Sequence, residues 1–194
     1  HTLLEITLKR LQRFGVRDVI VNVHHFADLV ISYLEKNDNF GMHIEVSREE
    51  ELLDTGGGLK RAAWFFREDE SPFILHNVDV ISTIDLQRMV EFHAAHQPLA
   101  TMAVQDRRTS RPLLFDEQLR LRGRASDLPS SENLQALAFC GIHVISPRIF
   151  PRMTEEGVFS IVNAYVRLAA AGENILAFRA DGYEWRDMGK PPVS

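Results

Sequence analysis

The sequence predicts an α/β fold built on a doubly wound, mostly parallel sheet, and three observations predict it. Short apolar runs rich in β-branched residues recur along the chain, Asp18-Val19-Ile20-Val21-Asn22-Val23 being the first. Runs this short and apolar on both faces are what a central parallel strand requires. Between them lie stretches with apolar residues at helical spacing, so strand and helix alternate. Glycine and proline punctuate the junctions.

The first segment, 2–14, sets Leu4, Leu8 and Leu11 on one helical face. Thr2 followed by Glu5 has the form of a capping box, and Gly15 suits a left-handed end. The strand 18–23, a helix over 27–36 and a strand over 43–47 follow. Next come the Gly56-Gly57-Gly58 turn, a helix through Ala63 and Phe66, the strand 72–76, a helix over 85–96 and the strand 100–104. From 107 to 133 the pattern changes. Arg107, Arg108, Arg111, Arg120, Arg122 and Arg124 sit among short apolar runs such as Leu113-Leu114-Phe115, which predicts a β-ribbon and a polar loop with 126–131 its most mobile part. Regular structure resumes with the strand 137–145, a turn at Pro147, a helix over 161–171 stopped by Gly172, and a last strand over 175–180. With no repeat, low-complexity run or linker, residues 1–194 read as a single domain. An α/β domain that opens on a helix, where a central strand is usual, reads as N-terminally incomplete.

Composition narrows the function. The chain has 194 residues, 45% hydrophobic and 25% charged, with a net charge of -5. That balance is ordinary for a globular protein. The 22 basic residues are scattered, which argues against nucleic acid as a partner, since backbone binding needs clustered Lys and Arg. A single cysteine, Cys140, excludes an internal disulfide and a multi-cysteine zinc site and fits the cytoplasm. No apolar run approaches the ~20 residues that span a bilayer, and no leader pattern opens the sequence, so no membrane partner is expected.

Three segments carry candidate chemistry. In Leu53-Asp54-Thr55-Gly56-Gly57-Gly58-Leu59-Lys60-Arg61 the glycines let a ligand approach the backbone, and free N–H groups at a helix start suit an anion or the polar edge of a base. The same triplet is also what a plain flexible turn looks like, and it matches neither the Rossmann nor the P-loop spacing. Lys60 and Arg61 are expected to face solvent. His76-Asn77-Val78-Asp79-Val80 ends an apolar strand on a carboxylate, at the position where α/β sheets bind ligands. Asp79 there serves either as a hard oxygen ligand for Mg²⁺ or as a cap on the next turn. Tyr183-Glu184-Trp185-Arg186-Asp187-Met188-Gly189 offers a second carboxylate, Asp187, which reads equally as a turn residue. The adjacent His24 and His25 should point apart on extended chain. His93 and His96, on a surface helix, read as structural or solvated, and Cys140 as a small core residue.

In this order, Leu-Asp-Thr-Gly-Gly-Gly, a strand ending Asn-Val-Asp-Val, Phe139-Cys140-Gly141-Ile142-His143-Val144, and Trp185-Arg186-Asp187-Met188-Gly189-Lys190-Pro191, the chain resembles the sugar-phosphate nucleotidyltransferases. Within that family it resembles the compact members that act as mannose-1-phosphate guanylyltransferases or N-acetylmuramate-1-phosphate uridylyltransferases. The resemblance implies a GT-A-like fold and transfer of a nucleotide from an NTP to a sugar 1-phosphate with release of pyrophosphate. It implies Thr55, Gly56, Gly57 and Gly58 against the nucleotide, Gly141 at the sugar, and Asp79 and Asp187 as catalytic ligands of Mg²⁺. Glu132 is a sugar-binding candidate by location, with Arg107, Arg108 and Arg111 sharing that work. The family's opening strand and its loop of the type G-x-G-T-R, followed by a Lys-Pro pair, have no counterpart after His1, so the chain as it stands is expected to be inactive. Val78-Asp79 replaces the more usual Gly-Asp. The alternative is a non-catalytic sugar-nucleotide-binding regulatory protein of the same fold. A glycosyltransferase would want a D-x-D motif, of which Asn77-Val78-Asp79 is a partial version. Base, sugar and oligomeric state are not legible.

Overall fold

The computed structural model describes residues 1–66, 70–131 and 133–189. The chain divides into two units, one of His1–Glu70 with Met153–Ala164 and one of Ser71–Arg152 with Tyr165–Ser194.

In the first unit, helix α1 (Leu3–Arg13) begins where the sequence predicts. Thr2 is extended and its hydroxyl accepts from the Glu5 N–H at 3.1 Å, the N-terminal half of a capping box. Gly15, at φ +90, ends the helix in the left-handed region. Strand β1 (Asp18–Val23) pairs in parallel with β2 (His43–Arg48), Val19 facing Ile44 and Val21 facing Val46. Helix α2 (Ala27–Lys36) joins them. Leu8, Leu34 and Met42 form the buried centre, with Leu4, Val16, Val19, Val30, Phe40, Ile44 and Val46 packed around it. The expectation of a β1 buried on both faces is corrected. Asp18 and Asn22 are exposed and only Val23 is fully buried, because β1 and β2 form a two-stranded sheet among the described residues. Helix α3 (Asp54–Arg61) follows β2 and runs into a 3₁₀ turn at Ala62–Phe66.

The second unit is built on β5 (Ala100–Gln105), whose six residues are all buried. It pairs in parallel with β9 (Ile175–Arg179) and antiparallel with β8 (Gln135–Ile145). The other edge of the long β8 receives β3 (Phe73–His76) along its C-terminal half and β6 (Leu113–Phe115) along its N-terminal end, both antiparallel. The Arg-rich stretch is the expected ribbon, β6 against β7 (Leu121–Arg124), with Asp116 bonded to the Arg120 guanidinium at 3.0 Å. That ribbon explains β8's direction. The chain re-enters the sheet from a hairpin, not from a crossover helix, so it returns antiparallel and the sheet is mixed. A separate short pair, β4 (Val80–Ser82) with β10 (Trp185–Asp187), runs antiparallel. Helix α4 (Leu86–His96) is capped by Asp85, whose carboxylate accepts from the Arg88 N–H at 3.1 Å. Helix α5 (Ile161–Ala170) begins in the first unit and ends in the second. No helix among the described residues is long and apolar enough to cross a membrane.

Two histidines are core residues of the second unit. His93, on a helix expected to lie at the surface, is only 2% exposed. Its Nδ1 meets Thr101 Oγ1 and its Nε2 meets Ser146 Oγ, both at 2.9 Å. Since Ser146 spends its one hydroxyl proton on the Pro98 carbonyl, His93 donates from Nε2 and accepts at Nδ1. His143 Nδ1 is 2.6 Å from the Tyr165 hydroxyl, in a fully buried pair. Burial draws the His93 imidazole down to about 4, with the Arg148 charge adding to it, and draws His143 down to about 3. Both are neutral when folded, whereas in the unfolded chain a histidine protonates near 6.5. Below that pH the unfolded state binds more protons, so stability is lost as pH falls from about 6.5 toward 4. Urea midpoints measured between pH 7.5 and 4.5 should drop across this window, and His93→Gln should make the drop shallower.

Candidate functional site

The site of the second unit starts from one residue of β8. Gly141 has φ +74, the left-handed region that glycine enters without strain. Here the ladder slips, so that Met102 faces His143 but Val104 faces Phe139, a bulge in β8. The carbonyls in the bulge bind the two segments that carry the candidate aspartates. Cys140 O accepts from the Trp185 indole N–H at 2.7 Å, and Gly141 O accepts from the Asn77 N–H at 3.0 Å. A Cβ at 141 would stand 2.8 Å from Asn77 Nδ2 and 3.2 Å from Val80 Cγ2. Glycine is therefore required twice, for the backbone angle and for the approach of the 77–80 turn.

That turn closes with the Val80 N–H bonded to Asn77 O at 3.3 Å and leads into β4. Strand β10 pairs with β4, Asp187 opposite Val80, and the Met188 N–H donates to Asp79 O at 2.7 Å. The Gly189 N–H donates to Asp187 Oδ1 at 2.9 Å. Both carboxylates converge on Gly189. A Cβ there would lie 2.5 Å from Asp79 Oδ2 and 3.3 Å from Asp187 Oδ1. Two half-buried carboxylates, one from the turn before β4 and one from β10, thus share a space that only the absence of a side chain keeps open. Such a pair fits Mg²⁺, which binds through one or two carboxylates and completes its shell with water and phosphate oxygens. Among the described residues no group of three His, Cys, Asp or Glu adjoins one another as a closed metal cage.

The sequence had singled out Asp79, Asp187 and Gly141, and the structure brings the three together. It had missed Asn77 and Trp185 as the groups that tie them to β8. An indole beside an acidic strand end was the only signal available. Glu132 lies outside the described residues. Arg108 and Arg111 are exposed, whereas Arg107 gives its guanidinium to Phe139 O at 2.9 Å and to Gln105 Oε1 at 3.2 Å. Cys140 is buried as expected, and burial pushes its thiol up to about 11, far from a nucleophile at neutral pH.

In the first unit the glycine triplet is not a turn ahead of a helix but lies inside α3. Its amides are not free for a ligand. The Gly56 and Gly57 N–H groups both donate to Phe159 O, at 2.9 and 3.2 Å, and Thr55 Oγ1 accepts from the Ile161 N–H at 2.9 Å. A Cβ on Gly56 would collide with the Phe159 ring and one on Gly57 with Gly157 O, at 2.4 Å. On Gly58 it would meet Glu49 Oε1 at 2.6 Å and Asn22 Nδ2 at 2.8 Å. The triplet lets α3 lie against the chain's own 157–161 segment and against the ends of β1 and β2. Lys60, expected in solvent, donates to Glu155 O at 2.6 Å, while Arg61 is exposed. His24 and His25 also differ from expectation. The chain turns after Val23, and their rings meet edge to face with centroids 4.3 Å apart.

A mixed α/β sheet with paired aspartates at the end of a strand defines the class to which the comparisons point. The structure superposes with a TM-score of 0.77 on UDP-glucose pyrophosphorylase complexed with UDP-glucose, at 16% identity over 97% of this chain and 81% of that one. With HddC from Yersinia pseudotuberculosis complexed with GMP-PN the TM-score is 0.76, at 19% identity over 97% of this chain and 80% of the other. These likenesses establish a GT-A-like nucleotidyltransferase fold. Residues 1–192 match the nucleotidyl transferase family, and the chain belongs to it. It is 28% identical to the mannose-1-phosphate guanyltransferase of Candida albicans over 198 residues, 95% of this chain and 51% of that protein. The chain spans about half the length of the curated relatives it matches.

Packing glycines and the site glycine should separate experimentally. Gly57→Ala drives a Cβ into backbone and is expected to destabilise the fold by about 1–3 kcal/mol, read as a lower urea midpoint. Gly189→Ala should leave that midpoint unchanged and weaken Mn²⁺ binding, because the new methyl takes the space between the two carboxylates.

Proposed function

We propose that the protein transfers a nucleotide from an NTP to a sugar 1-phosphate and releases pyrophosphate, with residues 1–194 acting as one nucleotidyltransferase domain. The observation that supports this most is the convergence of Asp79 and Asp187 on Gly189 in a member of the nucleotidyl transferase family. In this reading Mg²⁺ held by the two aspartates neutralises charge on the phosphates. The phosphosugar oxygen attacks the α-phosphorus in line and pyrophosphate departs. Chemistry of this kind depends on positioning and on charge neutralisation more than on a general base. Asp79 is presented by the Asn77–Val80 turn, and Asp187 is oriented by the Gly189 N–H. Gly141 and Glu132 serve the sugar, while Thr55, Gly56, Gly57 and Gly58, engaged with the 157–161 segment and the ends of β1 and β2, act by packing α3. The likeness to a mannose-1-phosphate guanyltransferase puts GTP with mannose 1-phosphate first among the substrate pairs to try.

Pyrophosphate release by the full-length protein, measured over a panel of NTPs and sugar 1-phosphates with and without Mg²⁺, tests the proposal. Turnover should require the metal. Asp79→Asn and Asp187→Asn should each lower kcat by at least about 100-fold, the loss expected when a preorganised charge contact is removed, with the thermal midpoint unchanged. Metal-independent turnover, or full activity in both variants, sinks the reading.

A further inference from the structure

We infer that Arg107 and Trp185 form a clamp that sets the separation of Asp79 and Asp187, making Arg107 a positioning residue for the metal. The inference rests on the reading of the aspartate pair given above. Strand β10 pairs with β4 through Trp185 with Ser82, Arg186 with Ile81 and Asp187 with Val80. The ribbon runs one step further at each end, the Thr83 N–H donating to Glu184 O at 3.0 Å and the Met188 N–H to Asp79 O at 2.7 Å. A two-stranded ribbon of that length has little stability of its own. A contact with the main sheet is needed to fix the ribbon that carries Asp187.

Trp185 supplies it from both sides of its ring. At the edge, the indole N–H donates to Cys140 O. On the face, the Arg107 guanidinium carbon lies 3.7 Å from the ring centroid, close cation–π stacking. Arg107 is itself pinned by Phe139 O and by Gln105 Oε1. Gln105 is buried and fixed in turn, because its amide donates to Ala180 O at 2.9 Å and to Tyr183 O at 3.0 Å. Among the described residues no carboxylate pairs with Arg107, so its charge is spent on the indole face and on carbonyls. The planar fork is what permits stacking and two hydrogen bonds at once, an arrangement that a lysine cannot reproduce. Trp185 stands two residues before Asp187, so the ring and the carboxylate leave β10 on the same face. The carbonyls that hold the clamp, Phe139 and Cys140, belong to the same bulge whose Gly141 carbonyl holds the turn bearing Asp79. One stretch of β8 therefore sets the position of both aspartates.

The test is Mn²⁺ binding to the full-length protein without nucleotide, followed by loss of the free-ion electron paramagnetic resonance signal, with thermal unfolding recorded on the same samples. Arg107→Met is expected to raise the Mn²⁺ dissociation constant about tenfold, the size typical of losing a group that orients a metal ligand. Trp185→Phe, which keeps most of the ring and loses the indole N–H, should raise it in the same direction. The double variant should bind no more weakly than Arg107→Met, since both changes break one clamp. Arg107→Lys, which keeps the charge over the ring, should recover part of the affinity. Wild-type Mn²⁺ affinity in Arg107→Met and Trp185→Phe, with binding lost in Asp79→Asn and Asp187→Asn, overturns the clamp and leaves the metal assignment standing. Wild-type affinity in the aspartate variants overturns the metal assignment and the clamp with it. A lowered unfolding midpoint in Arg107→Met, with no recovery of Mn²⁺ affinity in Arg107→Lys, reduces Arg107 to a structural role and also overturns the inference.

Discussion

The second unit depends on the bulge at Gly141. A regular β8 would keep its Cys140 carbonyl within the ladder, and the indole that anchors β10 would lose its acceptor. Because Gly141 adopts φ +74 and the register to β5 slips, the Cys140 carbonyl is taken by Trp185, while the Gly141 carbonyl carries the β3 ladder one step further, to Asn77. The bulge sits in the middle of a strand whose neighbour, β5, is buried throughout, so the packed sheet keeps it from relaxing. Local irregularity enforced by a rigid surround is how a fold presents functional groups at a fixed spacing.

Glycine serves different ends in the two units. In α3, residues poorly suited to a helix are accepted because the backbone must lie against the 157–161 segment, and the helical penalty of roughly 1 kcal/mol per glycine is offset by burial and by the bonds to Phe159 O. At Gly189 the missing side chain leaves room for two carboxylates instead. Similar sequence punctuation therefore has opposite meanings, packing in one place and an open site in the other. The buried histidines follow a third logic. His93 and His143 are polar residues tolerated in a core because each ring finds partners, and among the described residues no buried side-chain nitrogen or oxygen lacks one.

Much of the fold was legible in the sequence because local chemistry decides it. The Thr2 cap, the left-handed Gly15 and the β-branched run at 18–23 depend on neighbours within a few residues, and each appears where periodicity places it. The misjudged features depend on distant partners. The burial of β1, the helical state of the glycine triplet, the contact of His24 with His25 and the engagement of Lys60 with Glu155 all follow from segments remote in sequence or from a turn that periodicity cannot detect.

By itself, the sequence determined the α/β class, most of the alternation of strand and helix and the nucleotidyltransferase resemblance, and it offered Asp79, Asp187 and Gly141 as candidates. These follow from composition, period and motif order, which are properties of the chain read along its length. The tertiary structure alone decided that the two aspartates converge on one glycine, that Trp185 and Asn77 share the bulge of β8, and that Arg107 is engaged with an indole. Residues 77, 107, 141 and 187 are brought together by strand pairing and by a single left-handed residue. A sequence specifies such pairings only through the whole of its packing.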